Sequence, residues 1–325
     1  MRIQYSHSNK FFLIKTFSLG IIALLSLSVM AQRPRTSATT AAQTRAITVI
    51  TEPKATVWID DVRRGETDDS GRLVVKFSLP GTRKLRVRAD GFKEVTQNLL
   101  PTQKGEVKVA LVKSTDEAEL AFQQAEKLTA TDKKKAEELY EKAIKLRPQF
   151  AEAQLGLARV LADEGDSDGA LNAIKEARKI RPSYPEASAV EGRIYKADGD
   201  EKKAIAAFKR AITEGKGFQP EAHTGLALLY EEKAEAAGSA GDFQNEQLYY
   251  TEAAKSFNSA IPQLSGAPDA ETVYQLLGLV YEKMKKYKDA IAVYEEFLRV
   301  FPDSNETSAV QSFIVQLKKQ MNDGQ

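Results

Sequence analysis

A pattern of small and apolar residues repeats every 34 residues through the C-terminal two-thirds of this chain. In the stretch that starts at Ala151, the eighth, twentieth and twenty-seventh positions are all alanine, and 34 residues later the same positions are Gly192, Ala204 and Ala211. A fixed period in this range is typical of a solenoid, in which each unit hides its apolar face only against a neighbour. The sequence therefore predicts stacked helix pairs, and such stacks mostly bind other macromolecules.

Five units, all within residues 116–304, are predicted at 117–150, 151–184, 185–219, 220–268 and 271–304. The last unit is the clearest, because Tyr274, Gly278, Ala290 and Pro302 all stand at the expected positions. Small residues let the helix backbones approach closely, and the proline ends the second helix because it cannot continue the hydrogen-bond ladder. The units resemble tetratricopeptide repeats. That resemblance implies an all-α, right-handed superhelix whose concave groove binds proteins or peptides.

Two units depart from the pattern. In the first unit, Gln124 stands where a small residue belongs and Lys127 where an aromatic residue belongs. In the fourth, the interval from Tyr230 to Ala253 is 14 residues longer than in the other units, which should lengthen both helices around a turn at 238–242. Residues 305–325 are predicted to form a final amphipathic helix and a tail that cover the apolar end of the stack.

A different period governs the residues that precede the repeats. Apolar and polar residues alternate between Ala46 and Lys113, and turn residues such as Pro80-Gly81 and Asp90-Gly91 separate the alternating runs. A period of two is typical of half-buried antiparallel strands. We therefore expect residues 46–113 to form a small all-β sandwich ahead of the helical array.

The order of motifs in this β region resembles that of a PEGA domain. The matching residues are Pro53, Ala55 to Asp60, Gly65, Thr67, Leu79 to Gly81, Gly91-Phe92 and Val107 to Leu111. The family's Pro-x-Gly-Ala is one residue shorter here, as Pro53-Lys54-Ala55, and the second turn is longer. The resemblance implies a module without catalytic residues that occurs on exported bacterial proteins, including surface-layer proteins.

The N-terminus has the features of an export signal. Residues 1–16 carry three positive charges and no acid, and the apolar run that follows ends near Ala31. This pattern predicts a signal peptide at 1–31, with an uncleaved membrane anchor as the alternative, although the run is shorter than the roughly 20 residues needed to span a bilayer. Residues 32–45 are expected to be a flexible linker. Cleavage would change the formal charge from +2 to −1, which disfavours a nucleic-acid partner.

Catalytic chemistry has little support in this sequence. The chain lacks cysteine, and His223 is the only histidine after the predicted signal. His223 occupies a packing position, and no phosphate-binding loop or convergent set of metal donors accompanies it. The sequence therefore predicts a non-enzymatic protein that needs no cofactor and no metal.

Partner contacts are predicted on the first helix of each unit, at the positions that line the groove in the resembling family. The candidate partner-binding residues are Leu155, Arg159, Arg193, Lys196, Leu228, Gln275 and Leu279. Arg159 and Arg193 occupy the same position on adjacent units, and two arginine forks suit capture of an acidic or C-terminal segment. The alternative is ordinary ion pairing of these arginines with Glu152, Asp163 or Glu186.

The long fourth unit offers a second candidate surface. Phe243, Leu248, Tyr249 and Tyr250 lie near the tip of its predicted hairpin. They could present an apolar contact to a partner, or they could hold the two long helices together.

We expect an exported scaffold of the bacterial cell envelope, in the periplasm or at the cell surface, that binds a protein or peptide in an open groove. The alternative is a cell-wall or envelope attachment protein. In that case the PEGA-like module makes the main contact and the repeats serve as a spacer or an enzyme-recruiting arm.

Overall fold

The computed structural model describes residues 45–323. The predicted signal peptide and all of the predicted linker except Arg45 lie outside the described residues. Those that are described fall within one compact unit.

Seven strands in two sheets form the β module. Their bounds are β1 Arg45–Ile50, β2 Thr56–Ile59, β3 Val62–Glu66, β4 Arg72–Phe77, β5 Arg83–Arg88, β6 Val95–Leu99 and β7 Gly105–Lys108. One sheet has the order β4-β1-β7 and the other the order β3-β2-β5-β6. Alternate side chains such as Ile47, Val49, Val57, Leu85 and Val87 are almost fully buried in a shared core, as the period of two predicts.

The expectation of purely antiparallel strands is wrong for one pair, because β7 runs parallel to β1. The chain leaves β6 at the edge of the second sheet and returns to the first sheet to pair beside β1. Strands β3 and β6 were not foreseen, since their sequences VRRGE and VTQNL lack a clear apolar alternation. Both are outer strands of the four-stranded sheet, where one side of the backbone needs no partner strand.

Eleven helices are present within residues 45–323. Their bounds are α1 Glu117–Leu128, α2 Lys133–Leu146, α3 Ala151–Glu164, α4 Ser167–Ile180, α5 Pro185–Ala197, α6 Glu201–Glu214, α7 Pro220–Ser239, α8 Phe243–Leu264, α9 Ala270–Lys283, α10 Tyr287–Val300 and α11 Thr307–Asp323. Helices α7 and α8 have 20 and 22 residues, so the extra sequence between Tyr230 and Ala253 does lengthen both.

Close helix packing depends on glycines that face aromatic rings. A Cβ atom on Gly278 would lie 2.3 Å from the ring of Tyr294, and one on Gly225 would lie 2.4 Å from the ring of Phe208. Such distances are far below van der Waals contact, so no larger residue fits without a shift of the neighbouring helix. The small residues of the repeat therefore set how near each helix comes to the next.

The first unit follows the repeat with a shift of one residue in α1. Gln124 is exposed and Ala125 is fully buried at the helix crossing, so the small residue is present one position later than the sequence register placed it. The shift also buries Gln123, which is 4% exposed. The side of α1 that carries Gln123 faces the β module, where Gln123 bonds to Gly91 and Phe92.

The last helix covers the end of the stack. Val310, Ile314 and Leu317 of α11 are buried in a hydrophobic cluster that they share with residues of α7, α8, α9 and α10. Phe313 remains 42% exposed, although its ring lies 5.9 Å from that of Tyr294. Helix α11 thereby shields the apolar face that the fifth unit would otherwise leave open.

Candidate partner-binding cleft

The β module contacts the first helix of the array at a site we call the proximal contact. Gln123 of α1 accepts a hydrogen bond from the backbone N–H of Gly91 at 3.0 Å and donates one to the carbonyl of Phe92 at 2.8 Å. Arg88 of β5 forms an ion pair with Glu126 and lies over the ring of Phe122 at 5.2 Å. Hydrogen-bonding groups and charges are thus well paired across this contact.

A second site, which we call the distal contact, lies about 200 residues away in sequence at the end of α8. Arg64 of β3 donates from Nη1 to the carbonyls of Leu264 and Ser265, the latter at 3.0 Å. The backbone N–H of Ser78 donates to Ser265 Oγ at 2.6 Å. Phe218, in the loop before α7, packs against the cores of both the β module and the array.

A β-bulge explains how Arg64 reaches the array. Val57 is opposite Gly65 and Trp58 is opposite Arg63, which leaves Arg64 as the extra residue of β3. A bulge bends the strand and redirects its side chain. The guanidinium then interacts favourably with the negative end of the α8 dipole. Burial nevertheless lowers the pKa of Arg64 to about 10, and the nearby charge of Asp60 offsets only part of that shift.

The outer face of the four-stranded sheet is turned toward the array. Arg63 and Lys84 from this face line the space in front of the repeats, next to the β2–β3 turn at Asp60-Asp61. The ring of Trp58, the single tryptophan of the chain, has the guanidinium of Arg86 at 4.3 Å. The β module therefore presents a basic and aromatic surface to the concave side of the solenoid.

The opposite surface carries the two predicted arginines. Arg159 of α3 lies 3.6 Å from the Glu221 carboxylate, and Arg193 of α5 lies 3.8 Å from the same group and 3.5 Å from Asp163. Neither guanidinium makes a hydrogen bond to another residue within the range 45–323. The two arginines stand side by side as the repeat spacing predicts, and Glu221 occupies the position between them. Asp163 was among the expected partners; Glu152 pairs instead with Arg181.

Between these two surfaces lies a cleft of about 1050 Å³ with chemically different ends. The charged end is formed by α3 and α5 and contains Arg159, Arg193 and Glu186. Burial, with the nearby charge of Asp61, raises the pKa of Glu186. The apolar end is formed near α7 and α9; its apolar residues are Val62, Phe218, Leu228, Leu264, Val273 and Leu276.

The prediction of an open inner wall is therefore wrong. The protein's own β module stands in front of the wall, with the β2–β3 turn facing the charged end of the cleft. The sequence predicts the two modules as consecutive segments of the chain and predicts no contact between them. Nothing in the sequence indicated the proximal and distal contacts, because these join residues that no local pattern relates.

Four of the seven candidate residues line the cleft, namely Arg159, Arg193, Lys196 and Leu228. Lys196 also forms an ion pair with Glu232. Gln275 and Leu279 of α9 do not line the cleft: Gln275 lies between the lining residues Val273 and Leu276, and Leu279 lies beyond them and is 43% exposed. Leu155 is only 3% exposed in the core between the second and third units, so it supports the wall from behind and offers no surface to a partner.

The four residues at the tip of the long hairpin form two groups, one that packs between the helices and one that stays at the surface. The ring of Tyr249 stacks on Tyr230 of α7 at 6.3 Å, and Tyr250 is 5% exposed, so these residues hold the helices together. Phe243 and Leu248 are 70% and 52% exposed and remain at the surface.

Other sites of chemistry are sparse in the described part of the chain. His223 lies beside the carbonyl of Gly217, 3.3 Å from Nε2, and burial lowers the pKa of its imidazole. Among residues 45–323 no three acidic or histidine side chains are grouped as a metal site would require. No helix in the same range has both the length and the apolar character to cross a bilayer.

Comparison with known proteins identifies the repeats. Residues 127–194 match one model of the tetratricopeptide repeat, and residues 186–214 and 271–304 match a second. None of the curated proteins compared with the chain matches it.

Solved structures resemble the chain at low sequence identity. A tetratricopeptide-repeat protein of Thermus thermophilus is 20% identical over 61% of this chain and 99% of its own, with a TM-score of 0.45. Yeast Tom70 is 18% identical with a TM-score of 0.51, over 64% of this chain and 41% of its own length. The likeness to Tom70 supports the fold of the helical region alone. Together with the matched models it leads to one conclusion: this chain carries tetratricopeptide repeats, stacked into an all-α solenoid that faces a small two-sheet β module.

Proposed function

We propose that this protein is a non-enzymatic scaffold of the bacterial cell envelope that binds a protein or peptide segment in the cleft. Tetratricopeptide repeats commonly mediate protein–protein interaction, which supports the general role. The observation that carries the proposal is the pair of guanidinium groups, Arg159 and Arg193, which face the cleft and share one carboxylate at long distances of 3.6 and 3.8 Å.

The chemistry of the two ends suggests what the segment contains. Arginine forks bind carboxylates in a bidentate manner, and Glu221 already occupies the position that a partner's carboxylate would take. The apolar end, with Leu228 and Leu276, can accept apolar side chains at the other end of the same cleft. The proposed ligand is therefore an acidic or C-terminal segment that also carries apolar residues.

Site-specific crosslinking tests the location. Because the chain has no cysteine, Thr224→Cys places one photoreactive label in the cleft, and Lys202→Cys places one on the exposed surface of α6. In envelope extract we expect a discrete protein adduct from position 224 and none from position 202. Equal labelling from both positions, or none from either, would contradict partner binding in the cleft.

Charge variants test the chemistry. We expect Arg159→Ala with Arg193→Ala to lower the affinity for the crosslinked partner about tenfold or more, because two charge-assisted contacts are lost. Glu221→Gln should raise the affinity, since it removes the internal competitor for both arginines. Arg181→Ala with Arg299→Ala is the matched control, because it removes the same charge outside the cleft. Titration calorimetry measures the affinity of each variant for the partner. If the affinities do not follow this order, the arginine pair is not the group that binds the partner's carboxylate.

Export from the cytoplasm is the second part of the proposal. It rests on the basic start and apolar run of residues 1–31 and on the resemblance of the β module to PEGA domains. We expect the protein in the envelope fraction of its source to begin at Gln32 on N-terminal sequencing. A chain that retains Met1 in the cytoplasmic fraction would contradict export.

A further inference from the structure

The proximal and distal contacts differ in how well their buried polar atoms are satisfied. At the proximal contact, both ends of the Gln123 amide are hydrogen-bonded, and Nε2 makes a second bond to Glu119 at 3.0 Å. At the distal contact, Nε and Nη2 of Arg64 are buried without a partner among the described residues, and so is Oε1 of the neighbouring Gln263. Arg64 is only 7% exposed. Buried polar atoms without partners cost free energy that separation of the surfaces would recover.

Backbone conformation also distinguishes the two contacts. Ser265 and Lys216, in the two loops of the distal contact, have φ values of 43° and 52°. The left-handed region disfavours any residue with a Cβ atom. At the proximal contact the left-handed position is filled by Gly91, with a φ of 77°, where no Cβ penalty arises.

The chain itself reinforces the proximal contact. The connection from β7 to α1 is held to the β module by two backbone hydrogen bonds, from Lys93 to Val112 at 2.8 Å and from Ser114 to Gly91 at 2.8 Å. The β module and the first unit are therefore joined by hydrogen bonds, ion pairs and a short ordered connection. At the distal contact the two surfaces meet only through non-covalent interactions across about 200 residues of chain.

We propose that the β module is a gate over the cleft, which pivots at the proximal contact and opens at the distal contact, with Arg64 as its latch on the end of α8. The solenoid permits this motion, because each unit contacts only its neighbours and small changes between units add along the array. The gate controls access to the cleft in which partner binding is proposed, so this inference rests on the proposed function. Opening would let the cleft receive a segment from within a longer chain, which could not be threaded past the closed contacts.

In the unmodified protein, hydrogen exchange at two backbone N–H groups measures how readily each of the two contacts opens. Ser78 N–H donates to Ser265 Oγ across the distal contact, and Gly91 N–H donates to Gln123 across the proximal contact. After correction for intrinsic rates, hydrogen exchange followed by NMR should be at least about tenfold faster at Ser78 than at Gly91. Equal protection at the two sites would overturn the gate.

Distance measurements between spin labels test the latch. Cysteine at Val74 and Lys255 spans the distal contact, whereas cysteine at Lys93, beside Phe92, and Lys134 spans the proximal contact; all four positions are exposed. We expect Arg64→Ala to broaden the 74–255 distance distribution at least twofold and to leave the 93–134 distribution narrow. Arg63→Ala is the matched control, because Arg63 pairs with Glu66 of its own strand.

Two outcomes of the distance measurements would contradict the role of Arg64 as the latch. An unchanged 74–255 distribution in Arg64→Ala, or equal broadening of both distributions, would overturn the latch. If Arg64→Ala fails to fold, the exchange rates of the unmodified protein still decide whether the distal contact opens first. None of these measurements uses a partner, so a failed gate and a failed proposal of partner binding are told apart.

Discussion

Replacement of Phe208 by alanine is expected to lower the free energy of unfolding by about 3–5 kcal/mol, the cost typical of a large aromatic side chain removed from a core. Phe208 of α6 is fully buried. Its ring fills the space left by two glycines, where a Cβ atom would lie 2.6 Å away on Gly192 and 2.4 Å away on Gly225. One side chain thus joins the third unit to the fourth, and no neighbour can fill the cavity without a shift of a helix.

The position of Phe208 predicts how the protein unfolds as well as how much stability it loses. Neighbouring units of a solenoid stabilise one another through their shared interface. Loss of the ring between the third and fourth units should broaden the denaturant transition or divide it into two steps, measured by circular dichroism and by Trp58 fluorescence.

Phe243→Ala is the control, because the same atoms are removed from a side chain that is 70% exposed. We expect it to change stability by no more than about 0.5 kcal/mol. Similar losses for Phe208→Ala and Phe243→Ala would show that the ring of Phe208 does not join the two units.

Helical repeats are predictable from this sequence because their packing is local. Ala158, Ala170 and Ala177 are all fully buried, as the 34-residue period requires. Each small residue meets a helix that is close in sequence, so the constraint recurs at a fixed interval and can be recognised without coordinates.

The contacts between the two modules follow no such period. Arg64 reaches Leu264 because a bulge inserts one residue into β3, and the sequence VRRGE does not reveal a bulge. The parallel pairing of β1 with β7 is equally hidden, since β7 has only four residues and one buried side chain. The sequence therefore indicated which modules were present and not how they enclose the cleft.

The candidate site was partly predictable for the same reason. Arg159 and Arg193 were identified by their equivalent positions on adjacent units, and both line the cleft. Leu155 was chosen by the same rule and is buried, because an apolar side chain at that position turns into the core between units. Lys84 and Trp58 on the sheet surface had no repeat to mark them.

Gln123→Ala is expected to lower the free energy of unfolding by about 1–3 kcal/mol, because it leaves the partly buried N–H of Gly91 and carbonyl of Phe92 without their partners. The repeat pattern did not identify Gln123. It identified the neighbouring Gln124, which stands where a small residue belongs. Chemical denaturation followed by circular dichroism measures the loss. Gln124→Ala is the matched control, since the neighbouring glutamine is exposed and its loss should change stability by about 0.5 kcal/mol or less.

Gln123→Ala also tests whether the proximal contact is the pivot of the β module or only a place where the two surfaces touch. If the proximal contact holds the β module while the distal contact opens, Gln123→Ala should broaden the 93–134 distance distribution that Arg64→Ala leaves narrow. A loss of stability equal to that of Gln124→Ala, with the 93–134 distribution unchanged, would mean that Gln123 does not fasten the module to α1. The pivot would then depend on the ion pair of Arg88 with Glu126 and on the ordered connection through Ser114.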